Sequence, residues 1–105
     1  MNKRIRQKKK LTGYTFSKKD LWSLDSTMAK FCAEGVRQFI NMKRHTYPGD
    51  LTPEKWEEVL KEIHWTLNSI ATQFNNCPQP YDEDYNKRIA DGLKLFAIYF
   101  CDMWD

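Results

Sequence analysis

Lys3, Arg4, Arg6, Lys8, Lys9 and Lys10 place six cations within eight residues. A run of this kind tracks phosphates or an acidic protein surface, and such binding falls steeply with salt. Residues 1–20 carry eight cations against Asp20 alone, a net +7. The whole chain nets +3, so residues 21–105 net −4. A basic arm therefore precedes a mildly acidic body. Ile5 and Leu11 interrupt the run, so part of the arm is expected to lie against that body. No recognition-helix motif follows the arm. The first expected turn lacks the short spacing of a helix-turn-helix, which argues against sequence-specific DNA reading.

Other chemistry is thin. His45 and His64 have no ligand spacing such as H-E-x-x-H, and no CxxC occurs among Cys32, Cys77 and Cys101. No metal and no cofactor are expected. There is no G-x-S-x-G, no P-loop and no G-x-G-x-x-G, so catalysis is not expected and no catalytic residue is named. Glu57, Glu58 and Glu62 read as a solvated helix face, where Lys55 and Lys61 can pair with them locally. Cys32 and Cys101 lie in apolar helical runs and are expected in the core. Cys77, in a polar stretch, is expected to be exposed. Widely spaced cysteines, odd in number, suit a reducing compartment, the cytoplasm.

Aromatics offer a different chemistry. Tyr14, Phe16, Trp22, Tyr47, Tyr81, Tyr85, Tyr99 and Trp104 are more than three short helices can hide. Tyr and Trp are favoured interface anchors because they combine a large apolar body with a polar handle. Trp22, Tyr47, Trp65, Tyr85 and Trp104 are the partner-binding candidates. The apolar stretch from Tyr99 to Trp104 suits docking onto the domain itself, a second copy or a partner protein.

These residues are positioned by helices. Ser17-Lys18-Lys19-Asp20 is a capping box. Leu21, Leu24, Met28, Phe31, Gly35, Phe39 and Met42 then recur at three-four spacing, one face of a helix over about 17–44. Asp25 is a second N-cap candidate, with residues 17–24 forming a separate turn. Gly35 is expected where another helix comes close. Pro48-Gly49-Asp50 marks a turn. Thr52-Pro53-Glu54 starts a helix over 53–74, with a stripe of Trp56, Leu60, Ile63, Leu67, Ile70 and Phe74. Pro78 and Pro80 end it. Asp82-Glu83-Asp84 opens the last helix, 82–104, whose stripe is Ile89, Leu93, Phe96, Phe100 and Met103. No stretch alternates with period two. The expectation is an all-α antiparallel three-helix bundle, a single domain over 17–105 preceded by a basic arm over 1–16.

Aromatic content of 14% marks a globular chain, not a disordered one. No 18-residue apolar run exists, so no membrane partner is expected. The basic start is not followed by an apolar stretch, as a signal peptide would require.

Three groups of residues bear a resemblance. They are the Arg4-to-Lys9 run, Leu21-Trp22-Ser23-Leu24-Asp25, and the Gly92-Leu93-Lys94-Leu95-Phe96 segment with Tyr99-Phe100 and Trp104-Asp105. Together with Trp56 and Trp65 they resemble a family of small proteins of phages and prophages of Gram-positive bacteria. The resemblance transfers no catalytic residue. It implies a non-enzymatic accessory protein, resembling anti-CRISPR proteins, that binds and inhibits a host or defence protein by steric and electrostatic means. The alternative is a phage nucleic-acid-binding protein that uses the basic arm. A homodimer joined through the last helix is compatible with either.

Overall fold

Ser17 begins the first helix as its residue types require. Its hydroxyl accepts from the Asp20 amide at 3.0 Å, and the Asp20 carboxylate accepts from the Ser17 amide at 3.2 Å. This reciprocal cap satisfies two donors that a helix start otherwise leaves open. The computed structural model describes residues 15–105. The basic arm, Lys3 to Lys10, and Tyr14 lie outside the described residues. Those residues are all-helical, with α1 at Lys18–Trp22, α2 at Leu24–Asn41, α3 at Pro53–Ala71, α4 at Glu83–Tyr99 and a 3-10 turn at Phe100–Asp102. No described helix is long and apolar enough to cross a membrane.

The separate turn before the long helix is present, but Asp25 does not cap α2. Ser23 holds the N-cap position without a side-chain bond, and Asp25 accepts from the adjacent Ser26 amide. Thr27 secures the elbow instead, donating to the Asp20 carbonyl at 2.9 Å or the Ser23 carbonyl at 3.2 Å. α2 stops at Asn41, short of the expected 44. Arg44 turns back and donates to the Phe39 carbonyl at 2.5 Å, using a side chain where another helical turn would have used backbone. Its guanidinium also pairs with Glu57 on α3.

Thr52 caps α3 through the Lys55 amide, with Pro53 at the first helical position. The α3 stripe is the core: Trp56, Leu60, Ile63 and Leu67 are all buried. Each such side chain contributes about 1.5–3 kcal/mol by leaving water. The helix ends three residues before the expected 74. The Phe74 amide bonds the Ser69 carbonyl and the Gln73 amide bonds the Ile70 carbonyl. That is a Schellman ending, built on Gln73 at φ 55° where glycine is usual. Phe74 is left exposed beyond it.

Contacts fix the helix directions. Ser26 reaches the Ile70 carbonyl, Ala33 and Val36 pack on Ile63 and Leu67, and Arg44 meets Glu57, so α2 runs antiparallel to α3. Tyr85 packs on Trp65, Gly92 on Thr66 and Tyr99 on Trp56, so α4 also runs antiparallel to α3. α3 is thus the central helix. α2 and α4 approach one another only through side chains, where Phe96 and Met103 reach the Ala33–Val36 cluster.

One expectation about close packing is corrected. A Cβ at Gly35 would meet nothing within 4 Å, so no helix approaches there. A Cβ at Gly92 would sit 1.7 Å from Thr66 Oγ1. The close crossing is therefore α3 with α4, and Gly92 permits it. α4 also ends early. The Tyr99 hydroxyl donates to Asp50 at 3.0 Å, and the chain then unwinds so that Asp105 can reach the α2–α3 connection.

Candidate interaction surface

α2 is apolar over more than half of its circumference. α3 covers only the side carrying Ser26, Ala29, Ala33 and Val36. Small side chains let the two helices come close. The larger stripe, Leu24, Met28, Phe31 and Met42 among it, faces largely outward. Phe31 is 82% exposed, and Leu24, Met28 and Met42 are also exposed. Leu93 on α4 and Phe100 in the following 3-10 turn are likewise exposed. Between these stripes lies an apolar groove of about 240 Å³. Phe31, Gly35 and Phe39 wall it on the α2 side, and Phe96, Phe100 and Met103 on the other, with Cys32 and Val36 between. The groove and the exposed side chains bordering it are almost wholly apolar.

The aromatic anchor candidates separate into three places. Trp22 is 83% exposed at the α1–α2 elbow. Tyr47 and Trp104 are both exposed and lie at the opposite end of α2, joined by a Thr46 hydroxyl bond to the Trp104 carbonyl at 3.2 Å. Asp105 holds that end in place. Its carboxylate accepts from the His45 and Thr46 amides at 2.7 and 2.9 Å and lies 3.1 Å from His45 Nδ1. These donors, the His45 amide foremost, hold the Asp105 carboxyl down to about 2.

Trp65 and Tyr85, by contrast, are turned into the α3–α4 seam. Their rings meet edge to face at 5.5 Å, and Tyr85 is buried. The Arg88 guanidinium covers Trp65 at 3.6 Å from the ring centroid while its fork holds Glu62 at 2.7 and 3.0 Å. The Tyr85 hydroxyl donates to Asn76 Oδ1 at 2.5 Å, and the Asn76 amide donates to Ser69 at 3.0 Å. These two aromatics therefore position α4 and tie down the α3–α4 connection.

The charged candidates also rearrange. Of Glu57, Glu58 and Glu62 on α3, only Glu58 pairs with a helix neighbour, Lys55. Glu57 and Glu62 reach across to Arg44 and Arg88. His45 belongs to the Asp105 clasp and His64 lines the opposite α2–α3 cleft beside Glu34, so the two do not converge. Among the described residues no group of three His, Cys, Asp or Glu side chains could hold a metal. Cys32 packs half-buried on the core, Cys77 is half-buried instead of exposed, and Cys101 is exposed instead of buried.

Sequence reading missed the outward stripe of α2 and the Asp105 clasp. The first had a signal. Ala29, Ala33, Val36 and Ile40 form a second three-four stripe beside the larger one. The clasp joins residues about sixty positions apart and has no local signature. No family model, no curated protein and no solved structure matches the chain.

Proposed function

We propose that this chain is a non-enzymatic accessory protein that acts by binding another protein, as an inhibitor resembling anti-CRISPR proteins. An antiparallel three-helix bundle with a basic N-terminal arm is the frame of this reading, and the partner class is a host or defence protein. The observation that carries it is the surface aromatic set: Trp22, Tyr47 and Trp104 stand exposed on helical ends held by hydrogen bonds. Anchors of this kind, fixed before binding, lose little conformational freedom when a partner covers them. Charge supports the same reading, because a basic run beside a net-acidic body steers docking onto a partner of mixed charge.

The test is capture from host lysate with and without nuclease, comparing the native chain with Trp22→Asp and with Trp104→Asp. Both positions are exposed, so each variant should keep its helical circular dichroism. The expected result is one host protein enriched by the native chain, resistant to nuclease, and lost from at least one variant. Equal capture by all three proteins would sink the anchor assignment.

One observation favours a second reading, a nucleic-acid-binding role for Lys3, Arg4, Arg6, Lys8, Lys9 and Lys10. Six cations in eight residues can neutralise several phosphates. Replacing Lys8, Lys9 and Lys10 with Glu should then weaken binding about equally for every sequence and flatten its salt dependence. Unchanged binding in that triple variant would remove the arm from the mechanism.

A further inference from the structure

The outward stripe of α2 is symmetric about Gly35. Exposed Phe31 and half-buried Phe39, whose ring lies 5.2 Å from the Arg44 guanidinium, stand four residues from it on either side, and Met28 and Met42 stand seven. We propose that this stripe is the two-fold interface of a homodimer, in which α2 of a second copy lies antiparallel across α2 with the crossing at Gly35. The inference does not rest on the reading above, which uses other residues.

The antiparallel arrangement turns the symmetry of the stripe into complementarity. Phe31 of one copy falls opposite Phe39 of the other, and Met28 opposite Met42. A closed two-fold contact requires this kind of self-matching patch, whereas an unrelated partner gives no reason for it. Gly35 supplies the close approach. Nothing lies within 4 Å of where its Cβ would be, so the crossing point is open to a second backbone. The same device already operates at Gly92, where α4 meets α3.

Area agrees as well. Phe31, Met28, Leu24, Met42, Leu93 and Phe100 together leave on the order of 600 Å² of side chain in water, against about 800 Å² per partner in an interface of standard size. The polar residues bordering the stripe supply the remainder. The basic arm is the poorer occupant, since its cations would have to leave water against Phe31 and Phe100.

Two measurements on the full chain test the inference. Light scattering across the micromolar to sub-millimolar range should show a mass rising towards twice the 12.6 kDa of one chain. Phe31→Glu and Gly35→Leu should each return the mass to that of one chain. Both sites face solvent or open space, so helical circular dichroism should persist. In a background with Cys32, Cys77 and Cys101 replaced by Ala, Gly35→Cys should form an intermolecular disulfide on oxidation, and Lys61→Cys should not. A single-chain mass at every concentration overturns the proposal. So does a dimer that survives both variants, or one in which Gly35→Cys fails to cross-link.

Discussion

Replacing Gly92 with Ala sets two known effects against each other. Alanine favours a helix interior by about 1 kcal/mol over glycine, so on propensity alone the variant should be more stable. Packing predicts the reverse. The new Cβ would lie 1.7 Å from Thr66 Oγ1, 2.6 Å from Thr66 Cβ and 2.9 Å from Thr66 Cγ2. Rotating Thr66 about χ1 moves its hydroxyl and methyl but leaves its Cβ in place. Carbon contacts settle at about 3.5–4.0 Å, so α4 must retreat by roughly 1 Å. That retreat loosens the seam where Tyr85, Arg88 and Tyr99 pack on α3. Forcing an extra methyl into such a contact costs about 1–3 kcal/mol. With the propensity gain subtracted, the net expectation is a loss of up to about 2 kcal/mol. Urea unfolding followed by tryptophan fluorescence reads this as a lower midpoint at unchanged slope. The double variant Gly92→Ala with Thr66→Gly removes every clashing atom, so a double-mutant cycle should show a favourable coupling of about 1 kcal/mol or more. A Gly92→Ala protein stabilised by the full propensity gain of about 1 kcal/mol, or a cycle with no coupling, would refute the close crossing.

Three further outcomes follow from single contacts. Tyr85→Phe deletes the hydroxyl that Asn76 accepts, and should cost about 1 kcal/mol in thermal unfolding. Gln73→Gly relieves a side chain held at φ 55° in the α3 Schellman ending, and should raise stability by about 0.5 kcal/mol; a loss would show that the Gln73 side chain contributes more than its backbone costs. The Asp105 clasp should be acid-labile. Its folded pKa is about 2 against 3.8 for a free aspartate, so its contribution is present above pH 3.8 and lost as pH falls towards 2. Trp104 fluorescence between those pH values should report release in the native chain, with no such step in Asp105→Asn.

Much of the helical framework was legible because its signals are local. The Ser17 box, the Thr52-Pro53 start and the Asp82 start each act within one helical turn, and each caps the helix it announces. The α3 stripe was legible for a different reason. A central helix is covered from two sides, so its large apolar residues have only the core to occupy. Helix ends were harder to place. α2 stops where Arg44 bonds Phe39 and Glu57, and α4 unwinds where Asp105 finds His45, and both depend on contacts made across the fold. The placement of Tyr85 and Trp65 depends on such contacts too. Their identity suits a surface anchor, and only Arg88, Asn76 and Gly92 decide that they face inward.

The orientation of α2 follows from geometry. Three-four spacing identifies a face but not its neighbour, and α2 carries two such faces side by side. Burying Phe31, Met28 and Phe39 against α3 would gain more apolar area than burying Ala29, Ala33 and Ser26. Helices that meet through Ala and Ser, however, come closer together, and the fold takes that closer contact for α3. Exposing Phe31 at 82% then leaves one of the largest unused gains from apolar burial in the described residues. A buried aromatic side chain is worth about 1.5–3 kcal/mol, and the symmetric stripe doubles that gain when two copies share it. In the proposed dimer, a chain of marginal size keeps α3 for its own core and completes the larger apolar face of α2 by association.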